Sequence, residues 1–240
     1  MTGTVSSVVP PKQLRSRQTL DRLLDAAEAV IREEGIAELT VVKVVRRAQS
    51  SVGAFYRRFP DRDALLYAIQ ERNHARAREV YDAQLATLMR RKVPLEETLG
   101  RLFSLRAKMV LKDAPLLHAF VVQEAILPLF QEEGRKFYAY CRSTMTQVLL
   151  SHRDEIAHPE PELAAEMVCR TWLGLMEQVV LYGASPFDAQ ARSGDTHTLV
   201  AEYTKAMSAY LRGGAADPVP GPRADWTSMP SAAGVRAAVE

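Results

Sequence analysis

Cysteine is scarce in this 240-residue chain, with two residues, Cys141 and Cys169. Their positions give no Cys-x-x-Cys pair, so nothing supports a thiolate metal site or a dithiol redox motif, and two reduced, buried thiols are expected. The five histidines, His74, His118, His152, His158 and His197, form no His-x-x-x-His or His-Glu-x-x-His pair, so no metal is expected. A Gly-x-Ser-x-Gly elbow, a phosphate-binding loop and a dinucleotide glycine motif are all absent, which argues against an enzyme and against an organic cofactor. No uncharged apolar run approaches the ~18 residues of a membrane span. Residues 1–11 have neither a basic start nor a long apolar run, so no signal peptide is expected and the expected location is the cytoplasm. There is no internal repeat and no convincing strand pattern. The expected fold class is all-α.

What is present is an ordinary globular composition, 47% hydrophobic and 25% charged, able to bury a sizeable core. The net charge of +2 does not by itself indicate a nucleic-acid binder. Its distribution says more: residues 1–62 carry 11 Lys/Arg against 7 Asp/Glu, a net +4 that leaves −2 for the remainder.

The excess surrounds the most informative stretch, Thr40 to Arg62. Thr40 suits an N-cap, and Val41, Val44, Val45 and Ala48 follow at the spacing of one helix face. Gln49 and Ser50 interrupt that stripe. Ser51 suits a second cap, and Val52, Phe55, Tyr56 and Phe59 repeat the spacing until Pro60 stops it. Asp61 suits a third cap. Two short amphipathic helices with a tight turn make a helix-turn-helix, whose second helix enters the DNA major groove. Before it, Leu20, Leu23, Leu24, Ala27, Val30 and Ile31 form the inner face of a first helix ending at Gly35, and Leu39 closes the small core.

These residues resemble the DNA-binding domain of the TetR (tetracycline-repressor) family of bacterial transcription regulators. The resemblance covers roughly residues 17–77, with the motif at 40–59. It is carried by the helix ending in Gly35, by Thr40, by Ser51-Val52-Gly53-Ala54-Phe55-Tyr56, and by Phe59-Pro60-Asp61-Arg62-Asp63-Ala64-Leu65. The turn departs from the family pattern, having Gln49-Ser50 where glycine and an apolar residue are usual; glutamine there implies mild backbone strain. Ala54 stands where a hydroxyl is common, and Arg62 replaces the usual lysine. The resemblance places Val52, Gly53, Ala54 and Tyr56 near the groove, and Thr40, Ser51, Arg57, Arg58 and Arg62 near phosphates. Arg57 or Arg58 has the chemistry to donate either to a guanine or to phosphate.

The rest of the chain is expected to be helical. A long helix runs from Arg62 to about Lys92. Pro94 and Pro115 suit the first turns of two more. Residues 116–156 hold at least one long helix, with Pro128 and Gly134 as breaks or kinks. Residues 162–182 are apolar nearly all round, and 196–212 form a striped last helix. Residues 1–16, with Lys12 and Arg15, are expected to be a flexible basic arm, and the Gly/Pro/Ala-rich 213–240 a disordered tail. The resemblance implies that 78–212 is an effector-binding and dimerisation bundle, in which the last two helices pair with their copies. Phe103, Met109, Phe120, Phe137, Tyr140, Met145, Met167, Trp172 and Met176 are the large apolar candidates for a ligand pocket. Gln123, Glu124, Thr144, Arg170 and Gln178 are the polar candidates.

The expected function is that of a sequence-specific regulator of double-stranded DNA, a homodimeric repressor on a palindromic operator, released by a small apolar or amphipathic ligand. The alternative is a helix-turn-helix protein without an effector, which a cavity-free C-terminal core would favour.

Overall fold

The computed structural model describes residues 14–90, 93–182 and 196–213. Among them are eight α-helices, two short 3-10 turns and no strand. Of the expected flexible arm at 1–16, residues 1–13 lie outside the described residues and residues 14–16 instead open the first helix; the connection at 183–195 and the tail beyond 213 also lie outside them.

Three helices, one long and two short, follow the signals in the sequence. Helix α1 (Leu14–Glu34) ends at Gly35, whose φ of 89° lies where side chains are strained. Helix α2 (Val41–Arg47) is capped by Thr40, whose Oγ1 accepts from the Lys43 N–H at 3.3 Å. Helix α3 (Val52–Tyr56) is capped by Ser51, whose Oγ accepts from the Ala54 N–H at 3.1 Å. Between them Gln49 adopts φ 47°, the left-handed conformation expected at that turn. Helix α3 is shorter than the apolar spacing to Phe59 suggests. Pro60 bars the helical conformation from the residue before it, so the chain leaves α3 through a turn at Arg57 and Arg58. Asp61 then caps helix α4 (Arg62–Arg90), its Oδ1 accepting from the Ala64 N–H at 2.7 Å.

Helix α5 (Leu95–Glu124) answers the expectation of two helices with one that is broken inside. Asp113 leaves the helical region (φ −119°, ψ 19°), and Pro115 supplies no N–H to the preceding turn. Helix α6 (Pro128–Leu150) starts with its proline in the first turn, where the missing N–H costs nothing. Gly134 does not break it. A Cβ there would overlap the Glu124 carboxylate, so glycine leaves room for that side chain where it lies against α6. Helices α7 (Pro161–Tyr182) and α8 (Thr196–Leu211) complete the bundle. The Leu211 carbonyl accepts from the N–H groups of Ala157 and His158 at 2.9 and 3.1 Å, tying the end of α8 to the chain entering α7.

Two hydrophobic cores result. The first joins Leu23, Val30, Leu39, Val44, Phe55 and Phe59 of the head to Leu116, Ala119 and Phe120 of α5 and Phe130 of α6. The second fills the bundle around Phe103, Met145, Trp172 and Met176. Helix α7 is not buried all round as its composition suggests: Leu163, Met167 and Tyr182 stand 47%, 40% and 67% exposed along one side. Val80, part of the apolar pattern of α4, is also exposed.

Polar contacts lock the head onto the bundle. Glu28 of α1 is 3% exposed and accepts from three arginines. Arg72 and Arg76 reach it from α4, and Arg32 reaches it at 3.0 Å from its own helix. Arg32 also donates to Asp113 at 2.9 Å, at the break in α5. Further along α4, Gln70 Nε2 donates to Glu124 at 2.9 Å. Burial, and then the neighbouring Glu177, push the Glu124 carboxyl up to about 7. His74 is buried against Phe137, its ring stacked at 4.2 Å; burial and then Arg78 bring it down to about 4.

Two outcomes are expected. Glu28→Ala strands buried guanidinium charge and should cost about 3 kcal/mol in urea unfolding. Glu124 keeps its proton to about pH 7 in the fold but loses it near 4.5 when unfolded, so raising pH across that window removes stability, by about 2–3 kcal/mol. His74 acts in the opposite sense on acidification, from 6.5 down to about 4. Glu124→Gln should therefore gain on the wild type as pH rises through 4.5–7, read from urea midpoints across that range.

Candidate nucleic-acid interface and effector cleft

The cap-and-turn geometry of α2 and α3 turns one side of α3 outward. Val52 is 47% exposed and Tyr56 55%, and Gly53 and Arg57 are exposed beside them. These four share a face because they sit at i, i+1, i+4 and i+5 of one helical turn. The opposite side is held by Phe55, fully buried, with rings of Tyr56 and Phe59 against it at 5.3 and 5.4 Å. Gly53 has open space above its Cα, so another backbone or a base edge can come close.

The other residues singled out by the sequence are placed differently. Thr40 and Ser51 are exposed, with their hydroxyls engaged as caps. Ala54 is buried, 7% exposed, and faces the core rather than the open side. Arg58 is half-buried: it donates to the Ala54 carbonyl at 2.8 Å and to the Ser16 hydroxyl at 3.1 Å, holding the start of α1 against α3. Arg62 donates to the carbonyls of Leu39 at 2.9 Å and Ile36 at 2.7 Å, bracing the loop before α2. Two exposed residues of α2 escape the sequence reading. Val42 is 68% exposed, and Arg46 has no carboxylate within 4 Å among the described residues. Lys43 and Arg47, by contrast, are paired with Glu34 and Glu33. Arg46, Lys43 and Arg47 are all basic, so nothing in the sequence separates the unpaired one from the paired ones.

In the bundle, α4, α5, α6 and α7 enclose a cleft of about 1060 Å³. Of the nine large apolar candidates, Phe120 and Phe137 line it. Phe103 and Trp172 are instead core residues, rings 4.7 Å apart, with Tyr203 against both. Met145 and Met176 are buried in the same core, and Met109 packs against it. Tyr140 donates to Asp82 Oδ1 at 2.5 Å, on the far side of Phe137. Glu124 and Arg170 are the polar candidates found in the cleft wall. Most of the lining was not singled out, and it includes His74 and Arg106. A lone basic residue on an amphipathic helix reads as solvated surface, so periodicity gave no signal for either. A second, more open groove of about 1260 Å³ lies between α4, α5 and α8, lined partly by Gly100, Ser104 and Thr204 and by none of the nine. The thiols are as expected. Cys141 and Cys169 are free and buried, and burial pushes Cys169 up to about 12.

Comparison with known proteins follows the same geometry. Residues 23–69, from within α1 to within α4, match the family described as bacterial regulatory proteins, tetR family. No match to a curated protein was found. Among solved structures, one from Mesorhizobium loti, described as a TetR-family transcriptional regulator, is 18% identical with a TM-score of 0.60, covering 82% of this chain and 98% of that one. GusR of Salmonella enterica is 17% identical at TM-score 0.57, over 84% of this chain and 98% of its own. The multidrug binding protein EbrR, in complex with imidazole, is 17% identical at 0.55, over 85% and 98%. The family match lies on the capped helix-turn-helix, and the helical fold is shared with these solved structures along most of the chain.

Proposed function

We propose that the protein is a repressor that binds a palindromic double-stranded operator as a homodimer in the bacterial cytoplasm and is released by a small amphipathic molecule. Residues 17–77 act as the DNA-binding head, and 78–212 as the effector and dimerisation unit. The observation that carries the reading is the outward face of α3, where Val52, Gly53, Tyr56 and Arg57 stand free on a rigidly capped turn. Val52 offers a thymine methyl an apolar contact, and Arg57 has the donors for a guanine or a phosphate. Arg58 and Arg62 serve the interface through the loops and helix starts they hold. Thr40 and Ser51 serve it through their caps, with backbone N–H groups aimed toward phosphate.

Release follows from how the cleft meets the head. Helix α4 runs from the helix-turn-helix into the cleft wall at His74, and Phe120 belongs both to the cleft and to the core of the head. A molecule wedged there displaces α4 and α5 relative to α1. Two-fold related α3 helices must stand ~34–36 Å apart to enter successive major grooves. About 1.4 kcal/mol of preference for the displaced state lowers affinity tenfold. The presence of the cleft favours this over the effector-free alternative. EbrR, of the same fold, is a multidrug binding protein.

Dimerisation is supported by the exposed side of α7, where Leu163, Met167 and Tyr182 flank Gly174, and by the exposed Ala206 and Ala209 of α8. Paired across a two-fold axis, α7 and α8 make a four-helix interface.

Operator DNA obtained by selection from random duplexes tests the first part. Tyr56→Ala and Arg57→Ala should weaken binding without lowering the unfolding midpoint. Loss of a phosphate contact should reduce the salt slope by about one, and loss of a base contact should relax one position. Unchanged affinity and salt dependence in both variants would remove α3 from the interface. For assembly, Met167→Glu should turn a sedimenting dimer into a monomer. Tyr203 is a poorer probe, because its ring packs on Phe103 and Trp172. A wild type that sediments as a monomer at every concentration would count against the dimer and its palindrome.

A further inference from the structure

The cleft is not uniformly apolar, and its inner end has a chemistry of its own. Arg106 of α5 lines it, and its Nε is buried without a hydrogen-bond partner. No carboxylate lies within 4 Å of this guanidinium among the described residues. His74 of α4 is 4% exposed, lines the same cleft, and has an unpartnered Nδ1. Behind them Tyr81 is 1% exposed. Its hydroxyl lies beside Arg106 and the Cys141 thiol, yet makes no hydrogen bond of good geometry with either. The buried His74 ring and Tyr81 hydroxyl of α4 thus lie beside the partly buried Arg106 guanidinium of α5, which has donors to offer and no carboxylate partner among the described residues.

Such groups are expensive to leave unmade. A buried donor without an acceptor forfeits its desolvation cost, and a buried charge forfeits more. Among the described residues other partly buried arginines do have carboxylate partners, although Arg58 has only carbonyl and hydroxyl acceptors. Arg72 has Glu28 and Asp25, and Arg142 has Glu166. Arg78, adjacent to this site, lies over the rings of Phe137 and Tyr140 at 5.6 Å from each centroid. Arg106 is an exception. The acids of the cleft do not serve it: Glu124 accepts from Gln70, Glu132 pairs with Arg135 and Lys136, and Glu177 is exposed at the rim. His74, held neutral at pH 7 by burial, can donate from Nδ1 without adding a second charge. The walls beyond are apolar, with Leu117, Phe120 and Val121 on one side and Phe137, Leu173 and Val180 on another.

We propose that this cleft binds amphipathic organic acids. The ligand carboxylate is held by Arg106, which the neighbouring Tyr81 hydroxyl positions from behind, with His74 Nδ1 completing its hydrogen bonds, and its ring or chain lies between Phe120 and Phe137. The assignment rests on reading the cleft as the effector site, and it narrows the effector from any amphipathic molecule to an anionic one. A carboxylate fits better than a cation because the inner end holds donors and positive charge. Arginine also presents its N–H groups in a fork that matches two carboxylate oxygens.

The test uses the full chain and three acids, naphthylacetate, decanoate and phenylbutyrate, each beside its primary amide and the matching amine. Calorimetry and thermal shift should show at least one acid binding about ten- to hundredfold more tightly than its amide, the gain of a charge-assisted pair. Arg106→Gln should erase that preference while leaving amide binding nearly unchanged, and Tyr81→Phe, which removes only a hydroxyl, should reduce it. The wild-type comparison stands even if a variant fails to fold. Amides or amines binding as well as the acids, no member of the panel binding, or an acid preference that survives Arg106→Gln would each overturn the assignment. Operator release, measured beside binding, separates it from the broader reading. Acids that bind through Arg106 but leave DNA affinity unchanged would sink the effector role and keep the acid site. Release by neutral amphiphiles alone would do the reverse.

Discussion

The buried carboxylate of Glu28 is the constraint on which the arrangement of head and bundle depends. It sits on α1, yet its ligands are Arg72 and Arg76 of α4 and Arg32, which in turn holds Asp113 of α5. Desolvating one carboxylate costs several kcal/mol, and a single exposed arginine would not offset it. Three donors with satisfied geometry do, and they also fix orientation in a way apolar packing cannot. The same three helices share one apolar core, since Leu116, Ala119 and Phe120 of α5 pack among residues of the helix-turn-helix. The head is therefore not a bead on a linker. Its pose is set by the bundle.

That coupling gives the exposed face of α3 its meaning. A recognition surface on a freely pivoting domain would lose little from a change in the bundle. Here Phe120 belongs to the head's core and to the wall of the cleft at once, while His74 lies on α4 only four residues beyond Gln70 and its bond to Glu124. Space for a small molecule and the support of the DNA-binding helices are built from the same side chains.

Much of the head was legible in the sequence because its signals are local. Thr40, Ser51 and Asp61 each make the cap bond that their side chains and positions suggest, and Gln49 adopts the left-handed conformation its place in the turn demands. Leu39 is buried where a stripe ending in Ala48 needs a partner. What remained hidden was set by distant contacts. Ala54 faces inward, Arg58 is drawn to Ser16 and Arg62 to Ile36, each decided by which element packs nearby. The cleft was the least legible. Phe103, Trp172 and Met176 have the same character in sequence as Phe120 and Phe137, and only the shape of the bundle separates core from wall. Gly134 looked like a break and is an accommodation for Glu124.

The break at Asp113 divides α5 in a less visible way. Residues before it, from Leu95 to Val110, are buried in the bundle core, whereas Leu116, Ala119 and Phe120 after it are buried in the core of the head. With Pro115 interrupting the hydrogen-bond ladder at the same place, the two halves are continuous in space but belong to different cooperative units. Opening of one core can fray one half of α5 and leave the other intact. What looks like the longest rod in the molecule is, thermodynamically, the seam along which it comes apart.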